Sequence, residues 1–236
     1  ELPLATIDSY NKLLDEFEPY RKKNTLLDIG CGRGWFLQEA KKRGWQVFGT
    51  EFSEEALRTC RRDGIQMKSG ATNLSMFDGE QFDVITSFEV IEHINTPQNE
   101  LKCIHAFLRK GGLFYCTTPN FNAHLRYLLR EDYNVIAYPE HLCYYTKSTL
   151  KRVSDQNGFT TVKFLSTGIS IDRLRSSKAD KKSESRATAT QASGSDEALR
   201  QRIQGKWYLN LVKNLVNRVM TMTNTGLILK GYFEKK

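Results

Sequence analysis

Leu26-Leu27-Asp28-Ile29-Gly30-Cys31-Gly32-Arg33-Gly34 decides how this chain is read. An apolar run ends in an acid, three glycines alternate, and a helical pattern starts at Trp35. That order describes a buried strand, a tight turn and a helix. Glycine belongs where the backbone takes positive φ, or where a ligand must come close with no Cβ in the way. The N–H groups that open the helix then point at whatever sits over the turn. Gly-x-Gly turns recur in nucleotide-binding α/β proteins, so the spacing has to narrow the choice. A dinucleotide fingerprint needs its third glycine one position later, where Trp35 stands. A second acid, Glu51, closes the next strand at roughly the 20-residue offset of a ribose-binding carboxylate.

Working outward, Ile7, Tyr10, Leu13, Leu14 and Phe17 recur at helical spacing until Pro19. Helix 35–43 and strand 46–51 follow the turn. Ser53 caps the next helix, with Glu54 and Glu55 in its first turn and Arg61 and Arg62 in its last, which suits the helix dipole. Strands 65–68, 82–87 and 113–117 come next, with a helix opened by Thr96-Pro97 and closed by Gly111-Gly112. Leu101, Ile104 and Leu108 mark that helix's buried face. Helix 148–156 and strand 159–165 complete the alternation. The fold class is α/β, a mostly parallel Rossmann-like sheet with helices on both faces.

Residues 118–140 interrupt that rhythm with aromatic and basic residues, among them Phe121, Arg126, Tyr127, Arg130 and Tyr138. They follow a strand's carboxyl end, where open α/β sheets bind ligands, and read as a lid or substrate insertion. Arg126 and Arg130 are spaced to form an anion-holding face. Residues 176–196 carry almost nothing apolar and read as a disordered excursion. Residues 197–236 read as a basic helix, with the stripe Leu199, Ile203, Trp207, Leu211, Leu215 and Val219, and then a final strand at 227–233. The commonest fate of such a stripe is to cap the domain. All 236 residues are read as one domain.

Five scattered cysteines with no Cys-x-x-Cys pair argue for a reduced, cytoplasmic chain without a thiolate metal site. No apolar run has membrane-spanning length. A net charge of +8 points to an anionic partner: a phosphorylated or carboxylate-bearing substrate, a membrane surface or nucleic acid. The basic C-terminal helix can lie on an anionic membrane, with Trp207 and Tyr208 at the interface, which would make the chain membrane-peripheral. Nucleic acid is the weaker reading, since no RNA-stacking motif or zinc knuckle accompanies the charge.

Asp28-x-Gly30-x-Gly32-x-Gly34 after a buried strand resembles motif I of the class I S-adenosylmethionine (SAM) methyltransferases. Phe82-Asp83-Val84-Ile85 followed by Glu92-His93 resembles their fourth-strand motif, and Leu108-Arg109-Lys110-Gly111-Gly112 their entry to the fifth strand. The resemblance covers residues 23–165 and the last strand, which it implies is antiparallel. It implies that Asp28, Gly30, Gly32, Gly34, Glu51 and Phe52 bind SAM. Glu51 would take the ribose diol, Asp28 would favour the methionyl ammonium, and Phe52 would pack on the adenine. One departure stands out. The family often places an acid just after a glycine near position 70, for the adenine amino group. Here Gly70 is followed by Ala71, Thr72 and Asn73, so Thr72, Asn73 or the backbone must serve.

Glu89-Val90-Ile91-Glu92-His93 is the second constellation. A helical turn there would bring positions i, i+3 and i+4 to one face. With His141, it resembles the Glu-x-x-Glu-His…His pattern of small-RNA 2′-O-methyltransferases and, similarly, of ubiquinone-pathway O-methyltransferases. The resemblance implies a divalent metal, Mg²⁺ or Mn²⁺, on Glu89, Glu92, His93 and His141. Relatives without a metal leave His93 as the base beside Glu92, or as a packing residue. The expected activity is SAM-dependent O-methylation of a hydroxyl on a small molecule or glycan. The rivals are an RNA 2′-O-methyltransferase and a non-catalytic SAM-binding module.

Overall fold

The computed structural model describes residues 2–77, 79–130, 133, 135–168 and 207–236. Helix α1 is Leu4–Phe17, and strand β1 is Thr25–Ile29, followed by α2 (Trp35–Lys42) and β2 (Gln46–Glu51). Then come α3 (Glu54–Arg62), β3 (Gln66–Ser69), β4 (Phe82–Phe88), α4 (Pro97–Phe107) and β5 (Leu108–Pro119). The chain continues through α5 (His124–Leu129), α6 (Lys147–Gln156), β6 (Phe159–Thr167), α7 (Trp207–Thr223) and β7 (Ile228–Lys235). Seven strands form one sheet in the order β3-β2-β1-β4-β5-β7-β6. β7 runs antiparallel to both neighbours, and the other pairings are parallel.

Successive residues of a strand face opposite sides of the sheet. Leu26, Val84 and Tyr115 accordingly join α1, α2 and α3 in one core, whereas Leu27, Ile85 and Phe114 join α4 and α6 in the other. Burial on both faces explains why β1 and β4 read as continuous apolar runs. Ser53 caps α3 as expected, accepting from the Ala56 N–H.

The helix expected to run to Gly111-Gly112 instead ends at Phe107, and Leu108 is the first residue of β5, paired with Phe82. The next ladder pair is Val84 with Leu113, so residues 109–112 bulge out of the strand. The bulge carries Arg109 Nε to within 2.6 Å of the Asp83 Oδ1. The other carboxylate oxygen of this wholly buried aspartate accepts the backbone N–H of Lys22 (2.9 Å), Lys23 (2.6 Å) and Asn24 (2.6 Å). Burial alone would raise its pKa. Arg109 and those N–H groups outweigh burial and hold it below the ordinary carboxylate value.

The apolar stripe of the C-terminal helix does not cap the domain along its described side chains. α7 docks on β6 through polar groups. Asn217 Oδ1 accepts the Gly168 N–H, and the Thr221 hydroxyl bonds both the N–H and the C=O of Ser166. Those bonds turn Leu215 and Val219 outward, 64% and 51% exposed, with Met222 beyond them at 77%. No described helix is long and apolar enough to cross a membrane. The expected excursion at 176–196, and the stripe before Trp207, lie outside the described residues.

Asp83→Asn replaces an acceptor-only carboxylate by a group that must turn its NH₂ toward donors. It should destabilise the fold by about 3 kcal/mol in denaturant titration. Because the native pKa is depressed, the wild-type advantage is present above the unfolded pKa of about 4 and fades as pH falls through the native value. The variant should lack that acid limb.

Candidate active site

The glycine turn stands at the carboxyl end of β1, beside the switch from β1 to β4 where open α/β sheets open a crevice. Gly30, Gly32 and Gly34 all have positive φ, +67°, +52° and +69°. Cβ atoms at Gly30 and Gly34 would strike Val90 and Cys60, whereas one at Gly32 would meet nothing within 4 Å. Gly32 therefore offers bare backbone to open space. Glu51 braces the turn from β2: its Oε2 accepts the Gly32 N–H at 2.8 Å, and its Oε1 accepts Phe52 N–H and Ser53 N–H at 2.7 and 3.1 Å. A carboxylate has about four acceptor sites, so lone pairs remain for a ligand. Phe52 lies beside it, 72% exposed.

Asp28 is buried behind the turn and accepts the Thr86 hydroxyl at 2.7 Å. Burial pushes its pKa up to about 7, with the Glu51 charge adding and the Thr86 bond opposing. Tyr10 of α1, which the sequence placed only in an apolar stripe, stands close enough for the Asp28 charge to raise its own pKa beyond the effect of burial. Tyr10 packs edge-on against Phe36 at 5.3 Å, and its place in the apolar stripe of α1 hid it.

The second cluster follows β4. Glu89 has φ of +54°, and only Ile91–His93 forms a turn of 3₁₀ helix. The left-handed residue breaks the expected helical face, and Glu89 falls outside the group the fold assembles. Glu92, His93 and His141 each present one ligand atom, all within 4.8 Å of one another. Glu92 is buried. Its Oε2 accepts the Thr118 hydroxyl at 2.9 Å, and its Oε1 has no hydrogen-bond partner among the described residues. Burial and then the nearby Glu89 charge push its pKa up to about 8. His93 Nδ1 lies 2.6 Å from the Glu140 carbonyl, and His141 Nδ1 lies 2.7 Å from the Val135 carbonyl. A carbonyl only accepts, so each Nδ1 carries a proton, and in the neutral tautomer the lone pair falls on Nε2. The backbone closes the loop as Leu142 and Cys143 N–H both bond the Glu92 carbonyl.

A family profile for a methyltransferase domain matches residues 5–163. The chain belongs to that family. Its sheet is that of the class I SAM-dependent methyltransferases, as the motifs implied. A SAM-dependent methyltransferase from Archaeoglobus fulgidus superposes with a TM-score of 0.61 at 16% identity, covering 97% of this chain and 94% of that one. A ubiquinone biosynthesis O-methyltransferase of Ruegeria pomeroyi is 36% identical over 103 residues, 41% of this chain and 42% of the relative. The protein of the same name from Aeromonas salmonicida is 28% identical over 146 residues, 56% of this chain and 61% of that one. The matched stretches thus span about half the length of these relatives.

In this methyltransferase-family chain, the segment after β5 builds a small core of its own from Ala123, Leu125, Leu129, Tyr133 and Val135, with Leu227 against it. The expected Arg126–Arg130 face is not continuous. α5 ends at Leu129, and Arg130 leaves the helix with φ of +49°. Arg126 lies 3.9 Å over the Phe121 ring and donates to the Phe121 carbonyl, so it braces its own loop. Thr72 faces α4, where its backbone carbonyl accepts the Cys103 thiol at 4.0 Å.

The raised pKa of Asp28 has a measurable sign. The native state holds this proton more tightly than the unfolded chain does. Its contribution is fully present below the unfolded pKa of about 4 and is lost as pH rises to about 7. Asp28→Asn keeps the Thr86 bond without the charge. In thermal melts of the ligand-free protein, the variant should match wild type below pH 4. Above pH 7 it should exceed wild type by on the order of 2–4 kcal/mol.

Proposed function

We propose that this chain is a SAM-dependent O-methyltransferase acting on a hydroxyl of a small molecule or glycan. The observation that carries the reading is the pair of Nδ1-anchored histidines beside the unpartnered oxygen of Glu92. That is a proton-accepting, cation-compatible cluster at the same end of the sheet as the glycine turn. The names of the O-methyltransferase relatives agree with it.

In this reading, Gly30, Gly32 and Gly34 let SAM approach the backbone, Glu51 accepts from the ribose diol, and Phe52 covers the adenine. A cationic methionyl group near Asp28 would offset the burial that disfavours its ionised form. The acceptor oxygen attacks the SAM methyl carbon in line as the carbon–sulfur bond breaks, leaving S-adenosylhomocysteine. Alignment is the protein's main contribution. An Nε2 of His93 or His141 can take the hydroxyl proton. The orphan Glu92 oxygen and two fixed imidazoles also suit Mg²⁺ or Mn²⁺, with Glu89 as an additional charge nearby. Such a cation would supply a lower pKa for the acceptor hydroxyl.

Turnover of SAM with a panel of hydroxyl acceptors, before and after chelation, is the test. Loss of turnover on chelation with SAM affinity unchanged, and rescue by Mg²⁺ or Mn²⁺, supports the cation. Full activity of metal-stripped enzyme with a slow His93→Ala variant leaves the imidazole alone as base. SAM binding without turnover on any acceptor favours a non-catalytic module, and RNA methylation with steep salt dependence favours a nucleic-acid substrate.

The outward face of α7 favours one partner. Leu215, Val219 and Met222 share it with the exposed Arg218, and the sequence has no acid between Glu197 and Glu234. An apolar, cationic face complements an anionic membrane surface. Vesicles rich in anionic lipid should pull the protein down at low salt, and Val219→Asp should release it. Equal sedimentation of the two proteins would exclude this face.

A further inference from the structure

Three sulfur atoms gather beneath the glycine turn. Cys31 lies in the turn itself, Cys60 in α3 and Met67 in β3. The Cys31 and Cys60 thiols both donate to one atom, the Gly32 carbonyl oxygen, at 3.8 and 3.5 Å. Cys31 Sγ also lies 4.0 Å from Met67 Sδ. Glycines make the room. A Cβ at Gly49 would stand 2.8 Å from both Cys31 Sγ and Met67 Sδ, and one at Gly34 would stand 2.7 Å from Cys60 Sγ. Gly49 sits inside β2 without positive φ, so its missing side chain serves space rather than backbone conformation. Cys60 is wholly buried and Met67 is 9% exposed, whereas Cys31 is half-buried and leaves a way in from solvent.

Sulfur ligands select soft cations. Thiolates and thioethers favour copper(I) and its like over Mg²⁺ or Ca²⁺. A metal–sulfur bond is about 2.3 Å long, as on zinc, so two sulfurs sharing one ion stand about 4 Å apart. The Cys31–Met67 separation already has that value. Burial pushes both thiols up, so in the metal-free protein they stay protonated and bond Gly32. A bound cation supplies the charge that lets them ionise. We propose that Cys31, Cys60 and Met67 form a site for one soft, thiophilic cation of the copper(I) class beneath the glycine turn. Both thiol protons leave for solvent as two thiolate bonds and one thioether bond to the ion form, with no change of oxidation state. Glu92, His93 and His141 offer oxygen and nitrogen instead and form a separate cluster. Sequence spacing argued against a thiolate site because the two cysteines belong to different elements that only the fold brings together.

Anaerobic titration of the reduced, full chain with copper(I), held as its coloured bicinchoninate complex, reads the site directly. Wild type should withdraw a single equivalent of copper and acidify a weakly buffered solution by both thiol protons. Excess Mg²⁺ should not displace the ion. Met67→Leu nearly conserves volume and removes the thioether. Cys60→Ser removes one thiolate. Each variant, checked for an unchanged melting profile, should hold copper at least about tenfold more weakly, since losing even an outer-shell partner commonly costs that much. Wild type that withdraws no copper overturns the inference. So does wild-type affinity in either folded variant, or loss of the copper in His141→Ala, which would put the ion on the imidazoles. Turnover enters none of these readings, so the result stands apart from the SAM reading.

Discussion

One buried carboxylate fixes how the two halves of the sheet meet. Asp83 opens β4 and gathers the backbone at the entrance to β1, while Arg109 from the β5 bulge closes the other side. Arg109 supplies the opposite charge in this arrangement, so losing it would leave the buried carboxylate with backbone N–H donors alone. It clamps β1, β4 and β5 at their amino ends. Their carboxyl ends then carry the glycine turn and the Glu92–His93 turn side by side, since parallel strands in register deliver both to the same edge.

The opposite edge holds acids under strain rather than at rest. Asp28, Glu92 and Glu100 are all buried and all have raised pKa values, with burial as the leading cause. Asp83 is equally buried and goes the other way, because its donors are complete. The contrast shows that the number of donors, not burial alone, sets the direction of the shift.

The strand, turn and helix around Asp28–Gly34 were legible because glycine chemistry is local: the same positions needed positive φ in the fold as in the reading. β2, α3 and its Ser53 cap followed from periodicity and capping. Long-range placement was harder to see. The role of Arg109 depended on a bulge that periodicity does not encode. The face of Glu89, Glu92 and His93 failed as a helix because one residue took a left-handed backbone. The C-terminal stripe pointed outward because Asn217 and Thr221 found hydrogen bonds on β6 that a hydrophobicity pattern does not score. Tyr10 read only as part of an apolar stripe, since its place beside Asp28 comes from the fold.

The two histidines are steered by main-chain carbonyls of residues 135 and 140, not by side chains of the segment after β5. Sequence change in that segment can therefore reshape its exposed surface while the backbone goes on dictating which nitrogen of each neutral imidazole holds the proton. Under the proposed O-methyltransferase reading, acceptor choice and proton handling become separable inheritances. A lineage would then exchange one alcohol for another by replacing exposed groups such as Tyr127, Leu128 or Tyr138, without rebuilding the cluster beneath.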